Sequence, residues 1–117
     1  MESSNTAPLA AAANLAHYYT VLAHALRRVH DAQARAQLTD TAVDEQLTQL
    51  RIQLVPVLDR NPVVRDHVDS VALEVARIRK AAAAGERGAA EDARRMAEQV
   101  EGRARTVTDL VALFRSL

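Results

Sequence analysis

At 117 residues, with fifteen basic and fifteen acidic side chains cancelling, the chain has room for one modest core and no general excess of charge for a polyanion. A hydrophobic content of 49% excludes wholesale disorder, and the lack of cysteine excludes disulfides, thiolate metal sites and cysteine nucleophiles. The polar start, Met1 to Thr6, does not have the pattern of a signal peptide, and no apolar run nears the ~20 residues that span a bilayer. A cytoplasmic protein with no membrane partner is expected.

Residues 1–7 read as a flexible tail and 8–117 as a single helical domain. Pro8 suits a helix's first turn, where its missing N–H would lack a partner anyway, and a helix is expected over about 8–38. Its apolar stripe is Leu15, Leu22, Leu26 and Val29, spaced to share one face. The segment Thr39-Asp40-Thr41 breaks it, and Thr41 with Asp44 has the spacing of a capping box. A second helix over 42–59 carries Val43, Leu47, Leu50, Leu54 and Val57. Pro56 cannot donate to the carbonyl of Ile52, so the helix must kink or end there.

Asn61-Pro62 marks the next boundary, with Asn61 as N-cap. The third helix, over 62–84, has the clearest stripe: Val64, Val68, Val71, Val75 and Ile78. Gly85 and Gly88 bracket a short connection. Glu91 and Asp92 then open a fourth helix over 89–117 with the sign its dipole prefers, and its stripe is Met96, Val100, Val107, Leu110, Phe114 and Leu117. Loops this short make neighbours antiparallel. The expected fold is all-α, an up-down-up-down antiparallel four-helix bundle whose second helix is short and kinked at Pro56. With one Phe, two Tyr and no Trp, the core is built from Ala, Leu and Val, so the monomer should be modestly stable and oligomerisation a natural remedy.

The histidines, His17, His24, His30 and His67, are the candidates for acid–base or metal work. His17 and His24 lie about 10 Å apart along a helix, too far to share an ion easily, and no His follows a Glu by three. HExxH and the phosphate-cradling GxxxxGK[ST] are both missing. No enzyme activity, cofactor, metal or small-molecule substrate is inferred.

The run His24-Ala25-Leu26-Arg27 resembles the start of the His-x-Leu-Lys-Gly signature of histidine phosphotransfer domains, which are four-helix bundles of about this size. The resemblance implies that His24 would accept a phosphoryl group from a response regulator's aspartate, with Arg27 holding phosphate. It covers about five residues. It departs at Arg28, which replaces the family's glycine, and in placing the histidine on the first helix.

A wider signal is surplus apolar surface. The end of the fourth helix is apolar at 107, 110, 111, 113, 114 and 117, more than one face of a small bundle needs, and Leu73 sits opposite its own helix's stripe. The leading expectation is a non-catalytic helical protein-interaction module, an adaptor, small chaperone or assembly factor, that self-associates. Leu110, Leu113, Phe114 and Leu117 would make the contact, with Tyr18 and Tyr19 on the first helix as counterparts. Beside phosphotransfer through His24, the remaining alternative is a nucleic-acid regulator using Arg27, Arg28, Arg35, Arg94 and Arg95, which the neutral charge disfavours.

Overall fold

The computed structural model describes residues 2–30 and 41–117, with side chains from 9 to 29 and from 42 onward. Four α-helices account for nearly all of them: α1 (Glu2–Arg27), α2 (Thr41–Arg60), α3 (Pro62–Ala83) and α4 (Ala89–Ser116). A 3₁₀ turn, Arg28–His30, follows α1, and there is no strand among the described residues. The body is elongated, 52 × 24 × 24 Å.

Helical backbone begins at Glu2, ahead of the start expected at Pro8, which puts the proline in the second turn. At its other end α1 stops at Arg27 and tightens into the 3₁₀ turn, a common way to satisfy terminal carbonyls; Val29 within it is fully buried. Residues 28–30 are thus 3₁₀ where α-helix was expected; the expected continuation over 31–38 and the break at 39–40 lie outside the described residues, and Thr41, expected in that break, already opens α2. Helix α2 does not end at Pro56 but runs to Arg60. Both Pro56 and Ile52 are exposed, so water can bond the Ile52 carbonyl that the proline leaves without a donor.

A single residue, Asn61, separates α2 from α3. It stands at the N-cap with non-helical backbone, and its carbonyl accepts the first intrahelical bond, from Arg65 N at 2.9 Å. Its side chain does not cap α3 as expected. Asn61 Nδ2 instead donates to the Val57 carbonyl at 2.8 Å, closing the last turn of α2. At the end of α3, Gly85 takes φ +74° and donates to Ala82 O, while Glu86 donates to Ala81 O, both at 3.0 Å. These two bonds form a Schellman motif, which needs a left-handed residue and so glycine. Asp44, expected as Thr41's capping partner, accepts a hydrogen bond from Arg79 Nη1 at 2.9 Å, tying the start of α2 to the end of α3.

The core is entirely apolar among the described residues. Leu22, Leu26 and Val29, then Val43, Leu50 and Leu54, then Val68, Val71, Val75 and Ile78 are buried, as the stripes require. Leu58 joins them, while Val64 is partly open at the start of α3.

Helix α4 departs from its expected stripe. Its buried face is Ala89, Ala93, Ala97, Val100, Ala104 and Val111. Leu110, Phe114 and Leu117 are rotated about 60–120° from that line and stand exposed. Helix α1 makes the most extensive contact in the molecule with α4, and it too offers buried alanines, Ala16, Ala23 and Ala25. Small side chains let two helix backbones approach closely, and close approach multiplies dispersion contacts.

Two substitutions separate the alanine face from the leucine face. Ala97→Leu forces a branched side chain into a fully buried site and should cost about 1–3 kcal/mol, read as a lower melting temperature. Leu110→Ala should change the stability of dilute protein by less than about 1 kcal/mol. The reverse order would place the core on the leucine side.

Candidate functional site

Three of the grooves formed by the described residues bear on the candidate sites. The first, about 570 Å³, lies between α3 and α4 and is lined by polar side chains that include His67, Glu74, Arg77, Asp92, Arg95 and Arg103. Its charges are mostly paired along their own helices: Arg77 with Glu74 at 2.5 Å and Arg95 with Asp92 at 2.8 Å. Hydrogen bonds from Arg77 hold the Glu74 carboxyl below the usual carboxylate range.

The second groove, about 560 Å³, lies between α1 and α4 and contains His24, with Thr20, Arg27, Glu101, Arg105 and Asp109. His24 is exposed there. Arg27, the residue that the phosphotransfer resemblance assigns to phosphate, is committed elsewhere. Its Nη2 and Nε donate to the two carboxylate oxygens of Glu101 at 2.6 and 3.1 Å, a bidentate pair. These bonds hold the Glu101 carboxyl below its ordinary range. The groove of His24 therefore holds a closed ion pair, and a phosphoryl group would have to compete with Glu101 for Arg27.

The third groove is of a different kind. Leu9, Ala12 and Leu15 of α1 face Val107, Leu110, Val111 and Phe114 of α4 across about 690 Å³, and every lining residue is apolar. Leu110, Leu113, Phe114 and Leu117 are 48%, 54%, 57% and 90% exposed. The sequence reading brought these four together, and the structure places them together on the last turns of α4. Tyr18 and Tyr19, expected as surface counterparts, are both 4% exposed and belong to the core. Burial pushes both phenols above the ordinary range. The residues that α1 contributes instead are Leu9, Ala12 and Leu15. Around α1, Leu15 lies on the side away from His24, whereas Leu9 is only about 60° from it.

Other singled-out residues fall as follows. Leu73 is exposed, as its position opposite the α3 stripe requires. Arg94 is paired with Glu91 and Glu98, and Arg95 with Asp92, so two arginines of the basic-patch alternative are neutralised along α4 itself. Arg35, the His30 side chain and the Thr41 side chain lie outside the described residues. Among the described residues no group of three His, Cys, Asp or Glu is placed to hold a metal ion, and no helix is long and apolar enough to cross a membrane. Compared with known proteins, the chain matches no family model, no curated protein and no solved structure.

The Arg27–Glu101 pair sets a pH dependence. A carboxyl whose folded pKa is depressed contributes stability that is present above its unfolded pKa and lost as pH falls through the folded one. In Arg27→Gln the Glu101 carboxyl should titrate higher, back in the ordinary carboxylate range, when followed by NMR. A wild-type Glu101 already titrating there would mean that the pair does not form in solution.

The tyrosines report on the alkaline side. Their folded phenols titrate above the ordinary value of 10.0, so folding is favoured below that value and loses this contribution as pH rises through the raised one. Tyrosinate absorbance should therefore appear late, together with loss of helix. Early titration of both phenols, with helicity intact, would place them on the surface.

Proposed function

We propose that the chain is a non-catalytic helical protein-interaction module, an adaptor, small chaperone or assembly factor, built as an antiparallel four-helix bundle in up-down-up-down order. The order of partners supports the arrangement. Passing along α2 from Asp44 to Arg51 runs back along α3 from Arg79 to Asp69. Arg77, in the last turns of α3, lies near Asp92, in the first turn of α4, within one groove. Leu9 shares a groove with Phe114, whereas Arg27 pairs with Glu101.

The observation that carries the functional reading is the third groove. Leaving this much hydrocarbon in water costs roughly 25 cal/mol for each Å², and a contiguous apolar patch on a small protein marks a binding surface more often than scattered leucines do. The chain places its only phenylalanine there, half-exposed, among leucines. A rigid aromatic set in an apolar rim is the usual form of an interface anchor.

Phosphotransfer through His24 draws less support, because Arg27 is bound to Glu101 and that carboxylate faces the same groove. Nucleic-acid binding draws less again, since Arg27, Arg94 and Arg95 each meet a carboxylate.

The test uses the full chain as bait in extracts of the cells that make it, as wild type and as Leu110→Ser with Phe114→Ser. The wild type should retain one companion in stoichiometric amount, either a second protein or an untagged copy of the chain. The double variant should retain at least tenfold less while its far-ultraviolet circular dichroism is unchanged. Equal capture by both baits, or a companion on neither, overturns the reading.

A further inference from the structure

The polar groove between α3 and α4 has two evenly spaced walls. On α3, positions 67, 70, 74 and 77 recur at three and four, and on α4 positions 92, 95, 99 and 103 do the same, so each set shares one helix face. Arg77 lies close enough to Asp92 to feel its charge. With the two helices antiparallel, as proposed above, seven further residues along each wall bring Ser70 level with Gln99. Another turn brings His67 level with Arg103.

The groove therefore has two unlike ends. Toward the α3–α4 turn each charge has a partner on its own helix, Arg77 with Glu74 and Arg95 with Asp92. At the other end, about 10 Å away, stand His67, Ser70, Gln99 and Arg103, all exposed and none a carboxylate. Arg103 has no carboxylate partner among the described residues. Its charge is felt instead by the phenol of Tyr19 on α1, and burial keeps that phenol protonated. The pattern along α4 explains the gap. Arg94 and Arg95 each have a carboxylate three residues earlier, whereas the positions three and four before Arg103 are Val100 and Gln99.

What gathers around the free guanidinium is a hydroxyl, an amide and an imidazole, groups that can all donate. A planar carboxylate needs no such company. One guanidinium fork satisfies it, as Arg77 does for Glu74 through Nε and Nη2 in the same groove. Donors arriving from two helices and from several planes suit an anion with three outward oxygens.

We propose that this end of the groove binds the phosphate of a small, hydroxyl-bearing phosphate monoester. Arg103 supplies the charge and two parallel hydrogen bonds, Gln99 donates from the same helix, and Ser70 and His67 donate from α3. The rest of the ligand lies along the groove toward Glu74 and Asp92. Each of these carboxylates is bonded to an arginine and keeps lone pairs for a ligand hydroxyl. No general basic excess is needed, because one unpaired cation among neutral donors is a local attraction. Exposure keeps the contact weak, and phosphate alone should bind with a dissociation constant on the order of millimolar.

The experiment is an NMR titration of the isotope-labelled full chain with inorganic phosphate and with glycerol 3-phosphate, chloride being exchanged to hold ionic strength constant. Signals of His67, Ser70, Gln99 and Arg103 should move together and saturate, with the ester binding severalfold more tightly than phosphate. Acetate should bind about tenfold more weakly than phosphate. Two variants at exposed positions test the site, with circular dichroism verifying that each stays helical. Arg103→Gln removes the cation. Gln99→Glu keeps the side chain's shape and gives Arg103 the carboxylate one turn away that it lacks. Each should weaken phosphate at least about tenfold, while Arg115→Gln, at another exposed arginine, should leave binding unchanged. A drift that never saturates, or an equal response at Arg115, is an ion atmosphere only and overturns the proposal. Binding retained in Gln99→Glu places the anion elsewhere and overturns it as well. Phosphate bound with glycerol 3-phosphate excluded makes the free anion the ligand and overturns the monoester.

Discussion

The close contact between α1 and α4 is the constraint on which the other parts rest. Alanine buries little area by itself, so a face of Ala89, Ala93, Ala97 and Ala104 is a poor core in isolation. It becomes a good one when the opposing helix is equally slim, because the gain then comes from many backbone and Cβ contacts at short range rather than from large side chains. Tight packing of this kind fixes rotation. Once α4 has turned its alanines into the core, Leu110, Phe114 and Leu117 cannot also face inward, since they lie on a different side of the same helix. The apolar patch is a geometric consequence of the alanine contact.

The other two helices complete the molecule on different terms. Helix α3 meets the rest through three valines, one isoleucine and Ala82, and a largely polar groove remains between it and α4. Two ion pairs between helices, Arg51 with Asp69 and Arg79 with Asp44, both at 2.9 Å, hold α2 against α3. Their arginines are the shielded members, and exposed pairs elsewhere add little net stability in water. Their use is in register. With one residue between α2 and α3, a slip of either helix would separate both pairs at once, so the hairpin has a single preferred alignment.

Much of this was legible in the sequence, for physical reasons that can be named. Punctuation by Asn61-Pro62 and by Gly85 and Gly88 is local chemistry, and the helix bounds there follow it closely. The stripes of α2 and α3 consist of branched residues that have no other reason to recur at three and four, and they are buried. The α4 face was misread because hydropathy weights size: it picks out Leu110, Phe114 and Leu117 and passes over alanines, whose value depends on a neighbour as slim as themselves. The same blindness hid Leu9 within an alanine-rich run, while Leu15 was read only as a member of the α1 stripe. The tyrosines, expected as counterparts of the α4 leucines, are buried because α1 is packed on most of its circumference and leaves chiefly His17, Thr20, His24 and Arg27 outside.

Charge tells a complementary story. The arginines read singly suggest anion recognition, yet Arg27, Arg77, Arg94 and Arg95 all sit within reach of a carboxylate, three of them one turn away on their own helix. Pairs at that spacing cancel the field along the helix flanks, so the protein presents little net charge at any distance. A molecule with cancelled charge cannot draw a partner from afar and must rely on short-range contact, which is the kind that hydrocarbon supplies. The apolar end of the α1–α4 pair is where that contact is on offer, and it is also the stretch from which the helical ion pairs are missing among the described residues. Electrostatic silence over the body and exposed leucine at one end are thus two parts of one arrangement.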